Sequence, residues 1–223
     1  MQVDFMIIGF PKCGTTSLAK CLNKHNEINL FSQKQEFNET YFFFYNNYYS
    51  PLNKNKIYKS LKDGKINGYK NPIQIKKLFN LKILQNHNPN IKIIICMRNP
   101  VKAFISYFYF MSKQYSFSYN FNNFFENENI TYVYINYIIW ANSFFKNIYY
   151  FILEEYEKNP IEELNKIFKF LGVEEKKIEM IHENKNEDKK EIDKETINKL
   201  REYYKEPNEL LFKFLGRRIP EWE

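Results

Sequence analysis

Histidine and cysteine are scarce in this chain, 3 of each among 223 residues. The cysteines, Cys13, Cys21 and Cys96, form no CxxC pair and no metal-ligand spacing. No metal site is therefore expected, and an odd count leaves no complete disulfide framework. With Cys96 inside an apolar run, reduced thiols in a cytoplasmic protein are the expectation. Glycine and proline are also few, 6 and 8, which speaks against global disorder. No apolar stretch reaches the roughly 20 residues that span a bilayer; even the aromatic run at residues 41–45 is closed by asparagines. No transmembrane segment is expected. The opening Met1-Gln2-Val3-Asp4 has no signal-peptide pattern, because the short apolar run behind it leads into a glycine loop.

What the chain does have is a core and a charge. Hydrophobic residues make up 44%, with 22 Phe and 18 Tyr. Its length fits one domain, residues 1–223. The net charge of +7 suits an anionic ligand as well as it suits solubility. No nucleic-acid recognition motif accompanies it, so no nucleic-acid partner is expected.

Three short apolar runs read as buried strands: residues 5–8, 91–97 and 149–153. Each is too short for a helix, and the first two are rich in β-branched residues. Helical patterns lie between and after them, at residues 17–23, 73–85, 101–111, 161–171, 193–204 and 208–215. The stretch 161–171 has Pro160 as its start signal and Gly172 as its stop. The charged segment 183–194 reads as a loop. Strands alternating with helices predict an α/β fold, a P-loop-like parallel sheet flanked by helices in a single domain.

The first strand runs into a loop with Gly9, Lys12 and Gly14 and then into a helix. A helix N-terminus offers unpaired N–H groups and a positive dipole end, so it attracts phosphate. Gly14 lets the backbone approach closely, Lys12 adds a cation, and Thr15 and Thr16 add hydroxyl donors. Gly9 and Gly14 have the spacing of the Walker loop G-x-x-x-x-G-K-[ST], but Thr15 stands where its lysine should be. The lysine lies two residues before the second glycine instead. A kinase using MgATP is thereby disfavoured, though it stays open as the alternative, as does a non-catalytic nucleotide-binding relative.

The second predicted strand ends in Arg98-Asn99-Pro100, with Ser106 eight residues after Arg98. An arginine at the C-terminal end of a parallel strand faces the crevice where α/β folds bind ligands. Its planar fork matches a phosphate, and Ser106 on the following helix could add a hydroxyl.

The run Pro11-Lys12-Cys13-Gly14-Thr15-Thr16-Ser17-Leu18 resembles the 5′-phosphosulfate loop of the sulfotransferases that use 3′-phosphoadenosine-5′-phosphosulfate (PAPS). Arg98-Asn99-Pro100-Val101 with Ser106-Tyr107 is similar to that family's 3′-phosphate motif. The resemblance implies that Pro11 to Ser17 cradle the 5′-phosphate, with Lys12 at the bridging oxygen to sulfur. It implies that Arg98 and Ser106 bind the 3′-phosphate. It requires no metal.

Two further segments resemble the carbohydrate (heparan-sulfate-like) branch and its bacterial relatives. Lys34-Gln35-Glu36-Phe37 is similar to the segment that carries a glutamate base, with Glu36 in that role and Glu39 as fallback. Gly68-Tyr69-Lys70-Asn71-Pro72 is similar to an element that places Lys70 near the transferring group or the acceptor. The implied acceptor is a carbohydrate hydroxyl or amine. His25, His87 and His182 fall in no histidine-base motif and read as packing or surface residues. Segments 150–156, 170–172 and 207–222 extend the resemblance as packing features. One departure concerns the Lys-Gly loop that closes over the 3′-phosphate in many relatives. Residues 182–190 have no glycine, leaving Asn184 and Lys185 as substitutes, with Lys185 as a further cofactor-binding candidate.

Overall fold

The computed structural model describes residues 2–31, 51–115, 121–179 and 192–222. Its centre is β1 (Phe5–Gly9), whose residues are all buried. Phe5, Met6, Ile7 and Ile8 are fully enclosed, each contributing about 1.5–3 kcal/mol by leaving water. Burial on both faces is why the strand reads as a continuous apolar run rather than an alternating one. The other strands are β2 (Ile28–Leu30), β3 (Ile66–Lys70), β4 (Lys92–Met97) and β5 (Asn147–Ile152). They form one sheet in the order β2-β3-β1-β4-β5, with every pairing parallel. The expected α/β architecture is the observed one.

Helices connect the strands. They are α1 (Thr15–Leu22), α2 (Pro51–Ser60), α3 (Leu78–His87), α4 (Pro100–Tyr115), α5 (Phe121–Glu128), α6 (Tyr134–Phe144), α7 (Leu153–Lys158), α8 (Pro160–Leu171) and α9 (Lys194–Leu215). The start and stop signals of α8 act as expected. Pro160 sits in its first turn and Gly172 closes it at φ 81°.

Four expectations need correction. Strands β2 and β3 were not among the predicted elements. Asn29 and Asn67 put polar residues into both, and the two side chains bond each other inside the protein, Asn29 Nδ2 donating to Asn67 Oδ1 at 2.7 Å. The stretch 73–85 is not one helix. A 3-10 turn, Pro72–Lys76, is capped by Asn71, and the chain is extended at Lys77 (φ −135°) before α3 begins. Ile75 is buried whereas Leu78 and Phe79 are exposed, so the apolar residues never shared one face. The helices expected at 193–204 and 208–215 are the single helix α9, with Pro207 inside it. Its buried Leu200, Tyr204, Leu211 and Phe212 lie on both sides of the proline. Packing of both halves therefore outweighs the roughly 3 kcal/mol a helix-interior proline costs. Finally, Leu153 opens α7 rather than ending β5.

Of the aromatic residues of α4, Phe104 belongs to the core, Tyr107 and Phe108 pack against it, and Phe110 is exposed. Phe104 is fully buried and packs at 5.2 Å from Phe124, and at 6.3 Å from Tyr132. The three cysteines are free and buried. Among the described residues, no helix is long and apolar enough to cross a membrane.

Strand order fixes where a ligand can sit. From β1 the chain moves through α1 to β2, on one side of the sheet. From β4 it moves to β5, on the other side. β1 and β4 are neighbours whose connections leave in opposite directions, and a crevice opens between such connections beyond the strands' carboxyl ends.

Candidate functional site

Two loops line that crevice. The first, from Phe10 to Gly14, follows β1. Gly9 is paired with Cys96 of β4, and a Cβ on it would lie 2.4 Å from the Cys96 carbonyl oxygen. The loop then bends through two left-handed residues, Lys12 at φ 63° and Gly14 at φ 79°. Their geometry aims the first turn of α1 at the crevice. Leu18 N–H, bonded to the Gly14 carbonyl at 3.0 Å, makes the first intrahelical bond. The N–H groups of Thr15, Thr16 and Ser17 precede it at the start of the helix, where N–H groups point outward along the axis. The glycine at position 14 answers first to its left-handed φ of 79°, which side-chain-bearing residues rarely adopt. A Cβ there would meet Leu153 Cδ1 at 2.6 Å, so it faces α7 and not the space above the loop.

Tyrosines hold the loop from below. Tyr132 donates its hydroxyl to the Pro11 carbonyl at 3.0 Å. Tyr134 lies 4.5 Å from Phe10, ring to ring. The Cys13 thiol points into this packing, 3.6 Å from the Tyr134 hydroxyl. Burial pushes its pKa up to about 12, so position 13 offers the crevice backbone and not a thiolate.

Three cations come from three strand ends. Lys12 is half-buried, with its ammonium 4.7 Å from the Phe110 ring centre. Burial, and secondarily the Arg98 charge, lowers its pKa from the ordinary 10.5. Lys70, the last residue of β3, is 5% exposed and donates to Thr16 Oγ1 at 3.2 Å. Arg98 follows β4 directly, and its Nη1 donates to the Lys12 carbonyl at 3.4 Å. Its own carbonyl accepts from Tyr134 at 2.7 Å. The structure thus brings Lys12, Thr16, Lys70 and Arg98 together, although they come from three separate sequence segments.

Ser106 lies on α4. Asn99 caps that helix, its side chain accepting from Lys102 N–H at 3.2 Å, and Pro100 takes the first helical position. Ser106 is about two turns further on, on the face of the cap residue, and it is buried. Glu36, Glu39, Asn184, Lys185 and His182 lie outside the described residues, as do the aromatics at 41–49. His25 and His87 are packing residues, as their sequence contexts suggest. His25 Nε2 faces the Glu174 carbonyl at 3.0 Å. His87 Nε2 accepts from Val3 N–H at 3.2 Å, and burial lowers its pKa.

One group at the site escaped the sequence reading. Glu154, in the first turn of α7, is buried beneath the Arg98 loop. It accepts from Asn99 N–H at 3.0 Å and from Trp222 Nε1 at 3.1 Å, and it stands 4.0 Å from Arg98 Nε. Its sequence neighbours read only as an acidic turn, and nothing local reveals partners 55 and 68 residues away.

Chemically this is an anion cradle. Helix-start N–H groups, hydroxyls and the cations Lys12, Lys70 and Arg98 gather around one loop. Such a donor set fits phosphate groups.

Comparison with known proteins agrees with the fold. No curated protein matches the chain in sequence. A sulfotransferase from Alicyclobacillus acidocaldarius superposes with a TM-score of 0.80 at 17% identity, over 100% of this chain and 99% of that one. The sulfotransferase domain of the curacin biosynthetic pathway superposes with 0.56 at 18% identity, over 78% and 75%. Mouse sulfotransferase SULT7A1, complexed with PAP, superposes with 0.54 at 15% identity, over 88% and 62%. At these identities the superpositions speak to fold alone. The sulfotransferase domain family is matched over residues 2–210, nearly the whole chain, and the protein belongs to that family as a sulfotransferase enzyme.

Proposed function

We propose that this sulfotransferase moves a sulfuryl group from PAPS to a hydroxyl or amine of a carbohydrate acceptor, with Glu36 as base. The observation that carries the reading is the convergence of Lys12, Lys70 and Arg98 on one loop at the switch point of the sheet. PAPS, when bound, supplies an activated sulfuryl group whose leaving group is adenosine-3′,5′-bisphosphate.

The N–H groups at the start of α1, with the hydroxyls of Thr15, Thr16 and Ser17, hold the 5′-phosphate. Cys13 contributes its backbone to the same cradle, and Pro11, which has no N–H, shapes the loop that forms it. Lys12 neutralises the charge that develops on the bridging oxygen. Because its ammonium is half-desolvated, it interacts more strongly there than a lysine in water would. Arg98 and Ser106 hold the 3′-phosphate, with Lys185 closing over it. Lys70 is kept in place by the Thr16 hydroxyl and faces the transferring group. Glu36 takes the acceptor proton, a contribution of about 10²–10⁴-fold. The carbohydrate class rests on the likeness of the Glu36 and Lys70 segments to the carbohydrate branch.

Radiolabelled sulfate transfer from PAPS to a panel of glycans tests the reading. Label on a sugar hydroxyl or amine is expected. Turnover confined to phenols or other small aromatic acceptors would overturn the carbohydrate assignment. Binding without turnover on any acceptor would overturn the enzymatic reading of these residues.

A further inference from the structure

Arg98 is proposed above to hold the 3′-phosphate, yet its own side chain is weakly anchored. The Nη1 bond to the Lys12 carbonyl is long, 3.4 Å, and the Nε–carboxylate contact with Glu154 is at 4.0 Å. Free rotation of a long arginine would dilute the geometry that a phosphate needs, since ordering such a side chain costs conformational entropy. What limits that freedom is the surroundings of Glu154.

Glu154 is 8% exposed, and its two carboxylate oxygens are used separately. Oε1 accepts from Asn99 N–H at 3.0 Å and is the atom nearest Arg98 Nε. Oε2 accepts from the Trp222 indole at 3.1 Å. Trp222 belongs to a short 3-10 turn, Pro220–Trp222, and its ring packs on Tyr134 and Phe212 with centroids 5.6 and 6.1 Å apart. The turn is tied to the same loop a second time, through Asn99 Nδ2 donating to the Glu221 carbonyl at 3.3 Å. Tyr134 in turn donates to the Arg98 carbonyl. The backbone at Arg98 and Asn99 is therefore fixed by α6, α7 and a turn over 120 residues away in the chain. A buried carboxylate with both oxygens engaged cannot swing towards an incoming phosphate. It remains an attractive partner on the Nε side of the guanidinium, while Nη1 is turned to the loop.

We propose that Glu154, locked by the Trp222 indole and the Asn99 amide, is the positioning residue that holds Arg98 ready for the 3′-phosphate, and that the Pro220–Trp222 turn is part of the cofactor site. It rests on the cofactor reading proposed above, and a ligand pair separates the two. Adenosine-3′,5′-bisphosphate and adenosine-5′-phosphate differ only in the group that Arg98 would hold.

The test is calorimetric titration of both ligands against the full chain and the variants Glu154→Gln, Trp222→Phe and Arg98→Ala. Wild type is expected to prefer the bisphosphate by about tenfold or more, the worth of a hydrogen-bonded charge pair. Glu154→Gln should lose about fivefold for the bisphosphate and stay within about twofold for the monophosphate. In the Arg98→Ala background the same change should add nothing further. Trp222→Phe removes the indole N–H together with the pyrrole half of the ring system and keeps an aromatic ring against Tyr134 and Phe212, so it should give a smaller loss of the same selective kind, and it stands in if Glu154→Gln does not fold. Equal weakening of both ligands, or an unchanged preference in Glu154→Gln and Trp222→Phe, overturns the positioning role while the cofactor reading survives. A wild type that does not distinguish the two ligands overturns the 3′-phosphate assignment and this role with it.

Discussion

Gly9→Ala is the substitution whose outcome the backbone dictates most directly. Gly9 has φ +137°, a region that side-chain-bearing residues rarely enter, and its Cβ would lie 2.4 Å from the Cys96 oxygen and 2.8 Å from the Cys96 nitrogen. Those are atoms of β4, the strand paired with β1 at this register. No rotamer change can relieve the contact, so the two strands must part where the two site loops leave the sheet. Backbone strain of this kind costs about 1–3 kcal/mol, and overpacking a tight contact about 1–3 more. The sum, about 2–6 kcal/mol, is a large share of the 5–15 kcal/mol typical of a folded domain. With a urea m-value of about 3 kcal/mol/M, at the upper end for small proteins, the unfolding midpoint should fall by about 0.7–2 M. Two controls scale the effect. Gly14→Ala meets only the end of the Leu153 side chain, which can move, and Gly64→Ala meets nothing within 4 Å. Both should cost about 1–2 kcal/mol for a left-handed alanine. Urea unfolding of the three variants followed by circular dichroism decides the matter. A Gly9→Ala midpoint equal to or above that of Gly64→Ala would refute the reasoning.

Glu36→Gln should abolish sulfate transfer and leave adenosine-3′,5′-bisphosphate affinity within about twofold, since a base contributes to the reaction step. Wild-type turnover in that variant would place the base elsewhere, with Glu39 next to be tested. Lys70→Met, of similar length but uncharged, should remove a buried cation and lower turnover by about 10²-fold or more while the chain stays folded. Unchanged turnover would reduce Lys70 to a packing residue. For Lys12, the folded protein releases the proton at lower pH than the unfolded chain, because burial and then Arg98 lower its pKa from 10.5. The resulting cost to stability is present at neutral pH and is relieved as pH rises towards 10.5. A phosphate beside Lys12 reverses the shift, so ligand binding in that alkaline window should take up protons. Calorimetry in buffers of different ionisation enthalpy measures the uptake. Its absence in wild type, or its persistence in Lys12→Met, contradicts the placement of Lys12 at the phosphate.

The legible parts of the sequence were those where one physical demand dominates a short stretch. β1 and β4 are enclosed on both faces, so nothing but apolar residues serves, and the runs announce themselves. The loop after β1 needs a lysine, a glycine and hydroxyls within seven residues, and Arg98 follows its strand without a gap. β2 and β3 were hidden because Asn29 and Asn67 satisfy each other across the strands. A polar residue in a short strand looks like a turn until its partner, 38 positions away, is known. Pro207 signalled a break that packing of Leu200 and Tyr204 on one side and Leu211 and Phe212 on the other overrides. Lys70 stood out through the likeness of its Gly68–Pro72 segment to the carbohydrate branch, but its bond to Thr16 was not legible. Glu154 was not recognisable as a site residue at all, because its role exists only in its contacts with Asn99, Trp222 and Arg98. Gly14 takes a left-handed φ of 79°, and its nearness to the Leu153 side chain is a contact the sequence does not contain.

The central claim is that the crevice between β1 and β4 is built for a ligand with a 5′- and a 3′-phosphate. Thermal unfolding with adenosine-3′,5′-bisphosphate in the presence of EDTA tests it most directly. At a ligand concentration about 100 times the dissociation constant, binding should stabilise the native state by about 2.7 kcal/mol, a rise in Tm of about 5–10 °C for a domain of this size. MgATP at the same concentration should give a much smaller rise. A shift with MgATP and none with the bisphosphate would contradict the account.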